Sequence, residues 1–210
     1  MKKHQLFRYL YAIVPALFVL ILAIAASRLE GIRLIFFTRD VTTLGNLPFY
    51  AGAISTLGIF LWGVTAAICL FTSSLLLKLA DRQLLNFFLV VAIISAYLMF
   101  DDLFLIHEHS GTWIRGGEKS IVLLLGGVVS LHLFLFRKIV QNTHYGMLLI
   151  AFSMLGASVI ADELQPYFWE KGDLHTLAED GTKWVGIVCW TGYYVQTAFD
   201  FIIQKTNEKR

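Results

Sequence analysis

Six long apolar runs, nearly free of charge, constrain this chain more than any motif in it. They cover about 9–27, 49–77, 84–106, 120–136, 147–167 and 181–203. A helix of about 20 apolar residues is long enough to cross a bilayer. The fourth run is short, and the second is long enough to tilt. The runs are continuously apolar rather than alternating, which excludes a transmembrane β-barrel. Composition agrees: 57% of residues are hydrophobic and 15% charged, against roughly 25% charged in a soluble domain. The expected fold is all-α, a polytopic membrane bundle of about six transmembrane helices forming a single domain, 1–210.

Lys and Arg set the expected orientation. Lys2, Lys3, Arg8, Lys78, Arg82, Arg137, Lys138, Lys205, Lys209 and Arg210 fall on one side. Arg28, Arg33, Arg39, Arg115, Lys119, Lys171 and Lys183 fall on the other. The richer side is cytoplasmic, so both termini are expected there. Lys2-Lys3, an apolar stretch and AIAAS at 23–27 also fit a cleaved signal peptide. The run is long for that, and an uncleaved first span is favoured. Residues 28–48 form an outer connection that mixes arginines with IRLIFF and can lie in the membrane interface. Phe49, Tyr50, Trp113, Tyr167, Phe168, Trp169 and Trp184 fit an outer aromatic belt.

The net charge of +2 says little about partners, and no basic tract suggests nucleic acid. Membrane lipids and a lipid-like substrate are the expected partners. Cys69 and Cys189 lie inside apolar runs and read as small buried residues, not a disulfide.

The acids are distributed unevenly. Asp81, Asp200 and Glu208 fall on the cytoplasmic side; the other twelve fall on or near the outer side. Asp and Glu contribute little to topology, so insertion does not explain the skew. The third run ends in MFDDLFLIHEHS, with Asp101, Asp102, His107, Glu108 and His109. The fourth begins at Glu118, the fifth carries Asp162 and Glu163 near its outer end, and the sixth opens with Glu179 and Asp180 before Lys183. Four consecutive helices thus bring carboxylates to one level.

On a continuous helix Asp101 lies at about 0°, Asp102 at about 100°, Glu108 at about 340° and His109 at about 80°. His107 falls outside that arc, at about 240°. Glu179 precedes Lys183 by one turn, so Lys183 can neutralise an acid of its own helix. Acids at the end of a helix oppose its dipole, which gives Asp101 and Asp102 no local excuse; Glu118, Glu179 and Asp180 at helix starts are favoured anyway. His132 reads as a hydrogen-bonded interior histidine and His175 as a solvated loop residue able to swing over the site.

Carboxylates at the hydrocarbon edge must be paired, hydrated, protonated or bound to a cation. With histidines among them, the donor set suits a divalent metal, Fe, Mn or Zn. The candidate ligands are Asp101, Asp102, His107, Glu108, His109, Glu118, Asp162, Glu163, Glu179 and Asp180. The catalytic candidates are Asp101, Glu163 and Lys183, a spare carboxylate acting as general base and the lysine balancing charge. Diiron bundles offer an architectural parallel, but their paired Glu-x-x-His motifs are missing here.

DDLFLIHE and EDGTKWVGIVCW resemble a functionally uncharacterised group of bacterial polytopic membrane proteins, over about Leu57 to Tyr194. That resemblance implies a fold and no activity. The Ser-x-x-x-His and His-x-x-x-His spacings of alkaline ceramidase and adiponectin-receptor hydrolases do not occur here. The leading expectation is a metal-dependent enzyme, hydrolase before Fe or Mn oxidoreductase, acting on a lipid-like substrate at the outer interface. A cation or proton transporter is the first alternative and a membrane scaffold or complex subunit the second.

Overall fold

The structure, a computed structural model, describes residues 3–110, 117–168 and 172–207, with side chains described except at 3–12, Glu108, Glu118 and 165–168. All regular structure among these residues is helical. The chain divides into two compact units, Met1–Ala51 and Gly52–Arg210.

The first unit holds α1 (Lys3–Leu29) and two single-turn helices, α2 (Ile35–Thr38) and α3 (Val41–Leu44). The connection predicted over 28–48 contains these two short helical turns. Asp40 precedes α3 with extended backbone but lends it no side-chain cap.

The second unit contains α4 (Ala53–Leu79), α5 (Arg82–Phe104), α6 (Ile106–His109), α7 (Gly117–Leu135), α8 (Arg137–Gln141) and α9 (Gly146–Phe168). It closes with α10 (Asp173–Thr176), a π-helical turn (Leu177–Gly181) and α11 (Thr182–Asn207). Three of these helices are long and apolar enough to cross a membrane, through Ala53–Leu79, Arg82–Phe104 and Gly146–Leu164. Ile13–Leu29 and Lys119–Leu135 are shorter apolar stretches.

Local chemistry sets the joints. Ala80, in the left-handed region at φ 59°, ends α4, and Asp81 caps α5 by accepting from the Leu84 N–H at 3.1 Å. So short a connection makes α4 and α5 antiparallel neighbours. Asp81 also pairs with Lys205 at 3.2 Å, which ties the start of α5 to the end of α11.

The core lies between α4, α5, α9 and α11. Trp62, Thr65, Cys69, Thr72, Ser73 and Leu76 make the buried face of α4 at three- and four-residue spacing. Phe87, Phe88 and Val91 come from α5, and Trp190, Tyr193 and Tyr194 from α11, all at 1% exposure or less. Gly186 sets the approach of α11 to α9: a Cβ there would lie 2.7 Å from Leu155 Cγ and 3.1 Å from the Leu155 backbone nitrogen. Two polar pairs in this interior join helices. Thr65 bonds Thr191 at 2.9 Å, and the Trp190 indole donates to Ser95 at 3.1 Å. Cys69 is a buried free thiol and Cys189 a half-buried one.

Candidate functional site

The last turn of α5 carries Asp101 and Asp102, and the helix stops shortly after them, at Phe104. Leu105 sits in the left-handed region at φ 50°, ψ 44°, and α6 restarts immediately after it. A non-glycine residue there is costly by roughly 1–2 kcal/mol, so surrounding contacts must hold it. Two of those contacts are to Asp101. The His107 backbone N–H donates to Asp101 Oδ1 at 3.0 Å, and His107 Nδ1 lies 2.7 Å from Asp101 Oδ2.

This break overturns the helical-wheel expectation. A continuous helix would have turned His107 away from the aspartates and His109 toward them. The reversal at Leu105 folds His107 back on Asp101, while exposed His109 turns its Nδ1 to the Leu105 carbonyl at 2.9 Å. Ser110, almost fully buried, closes α6 by donating to the His107 carbonyl at 2.5 Å.

Asp101 is 5% exposed. A buried carboxylate needs hydrogen bonds on both oxygens or it costs several kcal/mol (roughly 3–5 when a partner is removed). Asp101 has one on each oxygen. Asp102 is also supplied on both sides: Lys183 Nζ donates to Oδ1 at 2.7 Å and the Trp62 indole donates to Oδ2 at 3.0 Å. One ammonium and one imidazole therefore face two adjacent carboxylates. Ligand atoms of Asp101, Asp102 and His107 all lie within 4.8 Å of one another.

Lys183 does not find its nearest acid on its own helix. It reaches across to Asp102 on α5 instead of forming its closest contact with an acid of its own helix. Glu179 and Asp180 do not open a helix either. They lie in a π turn preceded by α10, so the dipole argument for placing acids there falls away. π turns widen a helix by one residue and recur at functional sites. His175, expected in solvent, is buried at 6% exposure and lies 3.6 Å from Glu179 Oε2. Burial pushes the Glu179 carboxyl above its ordinary value; Asp162 and Asp180 add to that push, and His175 and Lys183 oppose it.

The remaining candidates separate. Asp162 is exposed yet within electrostatic reach of Glu179. Glu163 points elsewhere, to Lys119 of α7 at 2.6 Å, with both side chains largely exposed. Among the described contacts it does not join the Asp101 cluster. The side chains of Glu108 and Glu118 lie outside the described residues. His132, expected to be hydrogen-bonded, is buried and stacks on Phe87; among the described residues neither ring nitrogen has a protein partner.

Sequence reasoning missed Trp62 as a partner of Asp102. The two are forty residues apart on antiparallel helices, and no local pattern marks such a pair. His175 was readable: it precedes Glu179 by four residues, the spacing of one helical turn.

These features define a class: an all-helical protein with several apolar helices and a part-buried carboxylate–histidine–lysine cluster at one helix end. Within it, the chain belongs to the family described as "Domain of unknown function (DUF8692)", which matches residues 11–197. No curated protein and no solved structure shows a significant match to the chain.

Proposed function

We propose that this chain is an integral membrane enzyme in which His107, oriented by Asp101, performs acid–base chemistry on a lipid-like substrate. The observation that carries the reading is the 2.7 Å contact between His107 Nδ1 and the buried Asp101 carboxylate. A carboxylate on one ring nitrogen fixes the tautomer and leaves the basic lone pair on the other, Nε2. Three helices of sufficient length and apolarity support membrane embedding. With α1, α7 and α11 also crossing, both termini lie on the cytoplasmic side of a bacterial inner membrane. The cluster then lies at the outer edge of the hydrocarbon, where an amphipathic substrate can enter sideways.

Hydrolysis is the reaction of choice. His107 takes a proton from water, the hydroxide adds to a carbonyl carbon, and the proton passes to the departing oxygen or nitrogen. Lys183 holds Asp102 in place and offers positive charge beside the developing oxyanion. The test uses the purified chain in liposomes of phosphatidylethanolamine and phosphatidylglycerol, and in total bacterial lipid extract. Mass spectrometry should show one lipid class consumed by the wild type and untouched by His107→Gln. Identical lipid profiles for both proteins would remove the enzyme reading.

One observation favours a second reading, a divalent metal centre. Ligand atoms of Asp101, Asp102 and His107 already lie within 4.8 Å of one another, whereas ligands around one ion sit roughly 3–4 Å apart. Contraction is small, but Lys183 would have to leave Asp102. The donor set suits Zn, Fe or Mn, which would supply Lewis-acid activation of water. Stoichiometric metal in the wild type, lost in Asp101→Ala, would establish this centre; its absence from both leaves His107 acting alone.

A further inference from the structure

In the interior, away from the acidic cluster, three buried polar atoms have no protein partner among the described residues. His132, in the last turn of α7, is 2% exposed. Its ring stacks on Phe87 with centroids 5.2 Å apart and planes 22° apart, and Phe136 leans on it at 5.0 Å. Neither Nδ1 nor Nε2 has a hydrogen-bond partner. Tyr194, on α11, is fully buried and packs on the same Phe87 ring at 6.0 Å. Its hydroxyl is likewise unmatched.

Neighbouring groups behave otherwise. The Tyr193 hydroxyl pairs with Thr143 at 2.8 Å, and the Trp190 indole finds Ser95. Buried polar side chains are overwhelmingly hydrogen-bonded, to protein or to ordered water. A neutral imidazole always presents one donor and one lone pair, so no choice of tautomer relieves His132. A group that satisfies these atoms must donate and accept. It must also fit a space closed to bulk solvent, since His132 is 2% exposed and Phe87 and Tyr194 are fully buried. Water meets both requirements and is a regular structural component at such points.

We propose that His132 and Tyr194 frame an internal water site between α5, α7 and α11. This water places a hydrogen-bonding ring system inside the apolar part of the bundle, independently of the chemistry at Asp101.

Tyr194→Phe deletes one oxygen and tests the sign of that atom's contribution. With bound water, the variant loses a hydrogen bond and its apparent Tm should fall by about 3 °C. His132→Gln, which keeps a donor and an acceptor, should fall less than His132→Phe. An unchanged or raised Tm in Tyr194→Phe would overturn the proposal, since removing an unsatisfied hydroxyl relieves a penalty. Should that variant fail to fold, high-resolution density of the wild type decides. Ordered solvent within hydrogen-bond distance of Tyr194 Oη or a His132 nitrogen supports the site, and none at either position overturns it.

Discussion

Two acidic pairs look alike in the sequence and differ in the fold. Asp101-Asp102 and Asp162-Glu163 each end a long apolar run. The first pair is drawn inward: Asp101 is buried, and four donors from His107, Lys183 and Trp62 reach the two carboxylates. The second stays at the surface, where Glu163 meets an exposed Lys119. The difference lies in the path of the chain beyond each pair and in the side chains that face it. Behind Asp101 the chain reverses at Leu105 and returns a histidine; opposite Asp102 stand a lysine and an indole from other helices. Burial turns the first pair into a fixed electrostatic unit, whereas solvent screens the second.

The largest effect should come from breaking the buried member. Asp101→Asn leaves the shape but removes the charge that holds His107, and should destabilise the protein by about 3 kcal/mol. Denaturant unfolding in detergent reads this directly, and a change below about 0.5 kcal/mol would erase the distinction between the pairs. Lys183→Met should cost about 2 kcal/mol, because it strands Asp102 beside Trp62. Adding Asp102→Asn to it should recover part of that loss, and a strictly additive double variant would show that the contact is not an energetic pair.

Intermediate in exposure is Glu179, a third exposed, whose carboxyl is raised by burial first and by Asp162 and Asp180 after it. A raised folded value means that the folded state holds its proton more tightly than the unfolded chain. Stability should therefore fall as pH rises from 4.5 through the raised value, and stay lower above it. Glu179→Gln should flatten that decline, matching the wild type at low pH and exceeding it above the window. A variant whose pH–stability curve overlays the wild type would place Glu179 outside the network. The smallest effect belongs to Glu163→Gln, at most about 1 kcal/mol and weaker in salt, as for any exposed ion pair. A loss of about 3 kcal/mol there, the size expected of a buried pair, would contradict the comparison from the other side.

The helices themselves were readable. Apolar runs placed α4, α5 and α9 within a few residues, because continuous hydrophobicity over that length has few other solutions. Asp101 and Asp102 stood out because acids at a helix C-terminus oppose its dipole. The partner of Asp101 was not readable, since the switch from His109 to His107 depends on one leucine in a left-handed conformation, which leucine does not advertise. Nor was Trp62, whose link to Asp102 exists only once α4 lies against α5. Glu179 and Asp180 were misplaced at a helix start because α10 and the π turn carry the helical path back to Asp173. His132 was correctly placed in the interior, but its aromatic surroundings were not readable, because the cage of Phe87 and Phe136 is assembled from two helices and the segment after α7.

The central claim is that buried Asp101 orients His107 for proton exchange, and the tautomer of one ring tests it most directly. Nitrogen-15 NMR of histidine-labelled protein, assigned with His107→Gln, reads which nitrogen carries the hydrogen. The expected result is an Nδ1–H tautomer, hydrogen-bonded to the carboxylate, that redistributes in Asp101→Asn. A neutral ring protonated on Nε2 in the wild type, and unaffected by Asp101→Asn, would contradict it.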